Sequence, residues 1–419
     1  MLSRRDFIKG SFASGVALVT IGGGVNSLLK GSVAFAQENP AEVVPNNGKI
    51  LILVQLAGGN DGDRTLVPHG SSAYYSARSA TAIAAEDVLS LNSDVGLHPN
   101  LTGLKGLWDE GKMAVVQGVG YPDQNFSHFK SMAIWQYADP ALVERDGWLG
   151  KTLEQLESEE HDPFLGFRVG NSPPPELRTP NIPIPAVRNP ADYGFKVAGQ
   201  AVTPDEARSA TLLKLYEEYP STAPYGVLLE TTADSAVSSS QLLAEAGEIY
   251  VPAVEYPATP FASGLSLLAQ VIVGDLGMRV GHTTLGGFDT HVNEVGAHDN
   301  LMTTLDGGIT AFYQDLAAHG RADDVIVVTW SEFGRRWQEN ANQATDHGSA
   351  NMLFAVGNGI QGGLYGEPPS HTQLIQRGNL EFTTDFRSVY STIIDRWFGV
   401  PSEALLGQQW ANLDFIPAA

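Results

Sequence analysis

The chain has 419 residues, 43% of them hydrophobic, with 25 Lys and Arg against 47 Asp and Glu, a formal net charge of −22 and no cysteine. That length buries a large core as one big domain or two smaller ones, while the charge repels nucleic acid and anionic membranes and disfavours polyanionic substrates unless a local cation reverses the field inside a cleft. Without cysteine there is no disulfide, no thiolate ligand and no thiol nucleophile.

Taken in chain order, the first signal is Ser3-Arg4-Arg5-Asp6-Phe7-Ile8-Lys9 ahead of a weakly apolar run from Phe12 to Ile21. Paired arginines in that setting form the address for twin-arginine export. The run is glycine-rich and shorter than the ~20 residues of a membrane span, and Ala34-Phe35-Ala36 offers small residues for cleavage before Gln37. The expectation is a signal peptide over 1–36, with the export machinery as a partner, and a mature periplasmic or secreted protein with no integral membrane span. An uncleaved, membrane-tethered amino terminus is the alternative. The leader carries a net +3 (Arg4, Arg5, Lys9 and Lys30 against Asp6), so the remaining 383 residues carry about −25. No nucleic-acid partner fits that charge. Export of an already folded chain suits a protein that loads a metal before crossing, which makes a metal site worth seeking.

Residues 37–48 (QENPAEVVPNNG) read as a linker. Residues 49–57 (KILILVQLA) are nearly continuously apolar and end in Gly58-Gly59, the pattern of a strand covered on both faces. Leu101, Leu104, Leu107 and Trp108 fall at helical spacing over 100–110, and 112–119 (KMAVVQGV) returns to strand character. A helix follows over 127–137, with Ser127 placed to cap it. From 163 to 260 the prolines 173–175, 180, 183 and 185 break the pattern, and two polar helical stretches follow near 204–218 and 224–246. This span reads as an insertion or cap. Helix 264–274, strand 277–284, helix 297–319, strand 324–330, strand 351–356 and an amphipathic stretch over 384–398 complete the chain. Strands alternating with helices predict one α/β domain over 49–419, with a mostly parallel central sheet and helices on both faces.

Ligands in such sheets bind beyond the carboxyl ends of the strands, so the polar residues that directly follow each strand are the candidates. They are Asn60-Asp61; Asp123, Gln124, Asn125, Ser127 and His128; Asp289-Thr290-His291; Ser331-Glu332; and Asp346-His347, just before the strand at Asn351. Asp and His in these numbers suit one or two divalent ions of the zinc or manganese type. Asp289 and His291, two apart, face one centre if extended. Of Asp346 and His347, one ligates and the other supports. Ser127 is a candidate nucleophile at a helix N-terminus or simply a cap. His128 is a ligand, a general acid or a surface histidine. Arg335 and Arg336 neutralise a phosphate or sulfate group, or are loop charges. Trp337 and Tyr365 are candidates for stacking on a sugar. A glycosidase would need two of Asp61, Asp289, Glu332 and Asp346 about 5–10 Å apart.

Together the twin-arginine leader, LVQLAGGNDG (53–62), GLHPNLTGLKGLWDEGKMAVVQGVG (96–120), SHF (127–129), GGFDTH (286–291), WSEFGR (330–335) and TDHG (345–348) resemble the exported bacterial family catalogued as domain of unknown function 1501. That family is grouped with the alkaline phosphatase-like superfamily of phosphatases, sulfatases and cofactor-independent phosphoglycerate mutases, whose members use two metal ions and a hydroxyl-type nucleophile. By this resemblance Asp61 is a ligand after the first strand and Ser127 the nucleophile. Asp289, His291 and His347 surround one metal, with Glu332 beside the other. The chain departs from the pattern at Glu332-Phe333, where superfamily enzymes place an Asp-His pair, and in the tight spacing of Asp289 and His291, for which His298 is a substitute. Asp63-Arg64 also stand where the family has uncharged residues. The resemblance implies an exported metal-dependent hydrolase of phosphate or sulfate esters, including saccharide esters. The alternative is a non-catalytic binding or assembly factor for surface polysaccharide that keeps the fold.

Overall fold

The structure is a computed structural model, and it describes residues 47–157, 162–190, 193, 211, 214 and 226–418. The expected leader, nearly all of the linker and all but two residues of the helix expected near 204–218 lie outside them.

Among the described residues the alternation seen in the sequence folds into twelve strands: β1 Ile50–Ala57, β2 Leu66–Val67, β3 Leu89–Ser90, β4 Gly96–Leu97, β5 Met113–Gly120, β6 Gly166–Val169, β7 Ala186–Val187, β8 Val280–Gly286, β9 Val325–Trp330, β10 Asn351–Val356, β11 Gly363–Tyr365 and β12 Thr384–Asp385. Nine make the central sheet in the order β11-β5-β10-β9-β1-β8-β6-β7, with β12 also on β5, while β2, β4 and β3 form a small separate sheet. β9, β1, β8, β6 and β7 pair in parallel. β10 runs against both β9 and β5, and β11 and β12 are parallel to β5. One reversed strand in an otherwise parallel sheet is the mostly parallel architecture the sequence predicts. The stretch 163–260 supplies β6 and β7 at one edge of it.

The continuous apolar run of β1 follows from burial on both faces. Ile50, Ile52, Val54 and Leu56 point into one core, with Leu265, Leu268, Met302, Leu305, Ile309 and Phe312 from helices Pro260–Val273 and Glu294–Ala318. Leu51 and Leu53 point into the other, with Ile134, Trp135, Tyr390, Ile393 and Trp397 from helices His128–Tyr137 and Phe386–Thr392 and the π-helical turn Ile393–Phe398. Period-two alternation with both sides covered leaves no polar face, and each fully buried aliphatic side chain contributes about 1.5–3 kcal/mol.

Helix Glu294–Ala318 starts three residues before the predicted position, because Asn293, at φ 49° in the left-handed region, turns the chain into it without a side-chain cap. The amphipathic stretch predicted over 384–398 is helical from Phe386, capped by Asp385, whose carboxylate accepts from the Arg387 amide. The reversal of β10 matters for the site: residues that precede it, rather than follow it, lie at the carboxyl edge of its parallel neighbours. This brings Asp346 and His347 to the edge already reached by Asp61 after β1, His128 after β5, Asp289 after β8 and Glu332 after β9.

Candidate metal centre

Close approach of two loops begins with glycine. Gly58 has φ +124°, and a Cβ there would overlap the Asp289 amide, so only glycine lets the loops after β1 and β8 touch. Arg335 then ties them together. Its guanidinium, 1% exposed, donates to the carbonyls of Gly59 (2.7 Å), Gly58 (2.5 Å), Phe288 (2.7 Å) and Thr345 (3.0 Å), and to Asp289 Oδ1 (3.0 Å). A planar fork with five N–H donors suits this task. With its side chain fully buried among these acceptors, Arg335 presents no open face to a substrate.

Asp289 lies at the middle of the site. Its Oδ1 is 2.9 Å from His291 Nε2 and 3.0 Å from His347 Nε2, and its Oδ2 is 3.4 Å from His128 Nε2. The His291 and His347 Nε2 atoms are 2.9 Å apart. The far nitrogens fix the tautomers. His128 Nδ1 is 2.8 Å from Glu332 Oε1, His347 Nδ1 is 2.9 Å from the Phe126 carbonyl, and His291 Nδ1 is 3.4 Å from Asp346 Oδ1. Carbonyl and carboxylate oxygens only accept, so each Nδ1 carries a hydrogen, and a ring with that hydrogen alone turns an Nε2 lone pair inward.

Three lone pairs therefore face one carboxylate, acceptor against acceptor. A cation among them relieves this, and ligand atoms about 2.0–2.1 Å from a tetrahedral ion lie roughly 3.3 Å from one another, close to the separations found. The residues present fit a divalent ion of the zinc or manganese type. Burial alone would raise the Asp289 carboxyl, but its polar neighbours, His347 and then the Arg335 guanidinium, more than reverse that, taking it down to about 2. Burial holds His347 below the ordinary histidine value despite its contact with Asp289. Both are thus in the forms that ligate at neutral pH. Phe333, in the place of a lost ligand, packs its ring 4.9 Å from that of His128 and 4.6 Å from that of His347.

Ser127 is exposed, and it precedes helix His128–Tyr137 with no side-chain cap bond. Asn125 Oδ1 accepts from its backbone amide at 2.9 Å. Its hydroxyl is therefore not used in capping. Asp346 stands behind His291, held by Asn340 Nδ2 at 3.2 Å and 3.4 Å from Arg336 Nη1. Glu332, 1% exposed, stands behind His128.

Asp61 is placed elsewhere. Its carboxylate caps helix Gly62–Thr65 through the Asp63 amide and pairs with Arg78, both side chains being buried. Arg78 also contacts Asp63 and the carbonyls of Trp337 and Arg336. His298 joins this second group, near Asn60 and Thr65, with its ring 5.5 Å from that of His98. His98, His298 and Asp299 approach closely enough to share an ion; here His98 and Asp299 already meet partners, while His298 Nδ1 is buried without one. Arg64 Nη2 and His98 Nε2 both donate to Asp299 Oδ1 at 2.8 Å, and the Asn100 amide donates to His98 Nδ1. Sequence reasoning missed Arg78, Arg64, His98 and Glu294, since an arginine or glutamate outside a motif carries no pairing signal. Trp337 is buried and stacked on His371, and the Tyr365 hydroxyl donates to the Gln361 carbonyl, so neither is free to hold a sugar from this site.

Among solved structures the chain is similar to Ps i-CgsB in complex with k-i-k-neocarrahexaose (10% identity, 87% of this chain and 75% of that chain, TM-score 0.42). It is also similar to PsFucS1 sulfatase from Pseudoalteromonas sp. (11%, 87% and 70%, 0.38) and to the phosphonate monoester hydrolase SpPMH from Silicibacter pomeroyi (12%, 86% and 78%, 0.31). At that distance none of them assigns a residue or a substrate to this chain. No curated protein matches it. The family model described as "Protein of unknown function (DUF1501)" matches residues 114–407, more than half of the sequence, and the chain belongs to that family.

Proposed function

We propose that this protein is an exported, metal-dependent hydrolase of phosphate or sulfate esters on the alkaline phosphatase-like plan, acting in the periplasm or outside the cell. The observation that carries the reading is the convergence of three imidazoles on Asp289, one of them from His128, which directly follows Ser127, whose hydroxyl is not engaged in capping its helix. A bound zinc or manganese ion supplies a Lewis acid that polarises the ester and stabilises an oxyanion.

The residues of the chain do the rest. Ser127 Oγ attacks phosphorus or sulfur and loses its proton to water, the ester's P–O or S–O bond breaks and the alkoxide leaves as the alcohol by taking a proton from water, and a water molecule then cleaves the serine ester to release phosphate or sulfate and restore the hydroxyl. The first-turn N–H groups of helix His128–Tyr137 face the charge that develops on the ester oxygens. Arg335 fixes the β1, β8 and Thr345 loops so that the ligands hold their places. Arg336, one-third exposed beside Asp346, is the guanidinium still open to an anionic ester. Among the described residues no helix is long and apolar enough to cross a membrane. Asp61 and Glu332, each 1% exposed, cannot flank a sugar ring from solvent, which disfavours a glycosidase. Their commitment to internal partners is the one feature that favours a polysaccharide-binding factor without turnover.

The test is metal content per chain by inductively coupled plasma mass spectrometry, followed by a screen of phosphate and sulfate esters. Bound zinc or manganese that is lost in Asp289→Ala, with turnover abolished in Ser127→Ala, supports the hydrolase. A metal-free wild-type protein overturns it. Bound metal with no turnover of any ester favours the binding factor.

A further inference from the structure

We infer that Glu332 is a positioning residue rather than a ligand, that it fixes His128 as a fourth ligand beside Asp289, His291 and His347, and that the site closes around a single ion. This rests on the proposal that the site holds a metal, and it departs from the two-ion plan that the family resemblance implies.

Three observations carry it. First, the carboxylate of Glu332 is already used. Oε1 accepts from the Gly58 amide at 2.9 Å and from His128 Nδ1 at 2.8 Å, and the Ser331 hydroxyl lies 3.5 Å from Oε2. A buried carboxylate on the far nitrogen of a histidine sets the ring's tautomer and aims its other nitrogen at a metal. Second, His128 Nε2 is a buried atom with no hydrogen-bond partner and lies 3.4 Å from Asp289 Oδ2. In the tautomer that Glu332 imposes it can donate nothing, so only a cation or an incoming donor satisfies it. Third, the places for a second ion are filled. Asp61 is neutralised by Arg78, both buried, and Phe333 sets an apolar ring against His128 and His347 where an imidazole ligand would be needed. A guanidinium beside Asp61 repels a second cation there.

The experiment loads metal-free protein with Co(II) and reads stoichiometry, affinity and the visible d–d spectrum of wild type, Glu332→Gln, His128→Ala and Asp289→Ala, with circular dichroism to check folding. The expected result is one equivalent in wild type with an intense four-coordinate spectrum. Glu332→Gln should bind about 10–100-fold more weakly, and His128→Ala should bind more weakly with an altered spectrum. Two equivalents in wild type overturn the inference. So does a wild-type spectrum and affinity in both Glu332→Gln and His128→Ala when Asp289→Ala has lost the ion; that outcome leaves the hydrolase reading standing. Should Glu332→Gln fail to fold, His128→Ala alone decides, because it leaves the buried carboxylate in place. No binding by wild type sinks both readings.

Discussion

The carboxylates of Asp61 and Asp289 both follow parallel strands at one edge of the sheet, one buried against Arg78 and the other open to solvent among three imidazoles. Around Asp61, acceptors face donors. Arg78 bridges Asp61 and Asp63, Arg64 and His98 share Asp299, and Glu294 accepts from Thr345 Oγ1 at 2.9 Å. His298 is held neutral, well below the ordinary histidine value, by burial and by the charge of Arg64. Around Asp289 the inward atoms are acceptors without donors, apart from Arg335. The same residue types therefore do different things: one group is largely paired within itself and holds the fold, while the other is the one proposed to take a cation. Residue type and strand-end position cannot separate the two; hydrogen-bond direction does.

The largest expected effect tests that division. Arg78→Ala strips the counter-charge from two buried carboxylates and should cost about 3–5 kcal/mol in a denaturant titration, and the double variant Asp61→Asn with Arg78→Met should recover part of the loss. Asp289→Ala should do the reverse. It abolishes metal binding yet moves the metal-free midpoint by less than Arg78→Ala does, because Asp289 is half-exposed and the Arg335 guanidinium it leaves keeps its carbonyl acceptors. A metal-free Asp289→Ala protein as unstable as Arg78→Ala would erase the distinction.

A pH series sharpens it. Burial, reinforced by the neighbouring Asp61 charge, pushes the Glu294 carboxyl up to about 8, and burial with the same neighbour takes Asp63 to about 7 against the pull of Arg78. A raised folded-state pKa means that the native state holds protons the unfolded chain has released. That contribution is fully present below about 4.5 and is lost as pH rises through 7 and 8. Stability should therefore fall from pH 5 to pH 8, by at most about 1.4 kcal/mol per unit for each proton. Asp61, taken down to about 2 by Arg78 against the effect of burial, acts oppositely, and only in strong acid. Glu294→Gln should flatten the slope between pH 5 and 8, as read from melting temperatures at fixed ionic strength. An unchanged slope would show that Glu294 is ionised in the fold.

Much of this was legible beforehand because parallel strands are nearly pure apolar runs and their ends are punctuated. Gly58-Gly59 closes β1, and the polar residues after β5, β8 and β9 and before β10 are the ones that meet. The sequence could not show which acceptor each side chain would find. Asp61 and Asp289 look alike as Asp after a strand, and Arg78, seventeen residues beyond Asp61 and in no motif, decides the fate of the first. Arg335 read as an anion binder because a loop arginine after a strand end is commonly one; that five acceptors would surround it depends on the loops around Gly58, Phe288 and Thr345, which are distant in sequence. The contacts of Glu332 were hidden for the same reason, since its partners Gly58 and His128 lie more than two hundred residues away.

The smallest expected effect lies at the rim. Phe129 and Val292 directly follow His128 and His291, the ligands proposed above, and at 84% and 58% exposure they are among the exposed large apolar side chains of the described residues. Neither holds the fold, so Phe129→Ala should shift the midpoint by less than about 0.5 kcal/mol and leave metal affinity unchanged. A side chain one residue from a ligand is near enough to cover the non-reacting part of an ester. Losing an aromatic contact of about 1 kcal/mol should raise KM roughly five-fold for esters with a ring next to the scissile bond and leave kcat alone. For methyl or unsubstituted esters, which present nothing to stack, KM should not move. Equal KM changes for both classes would place Phe129 in the scaffold of the site and not on the substrate's path.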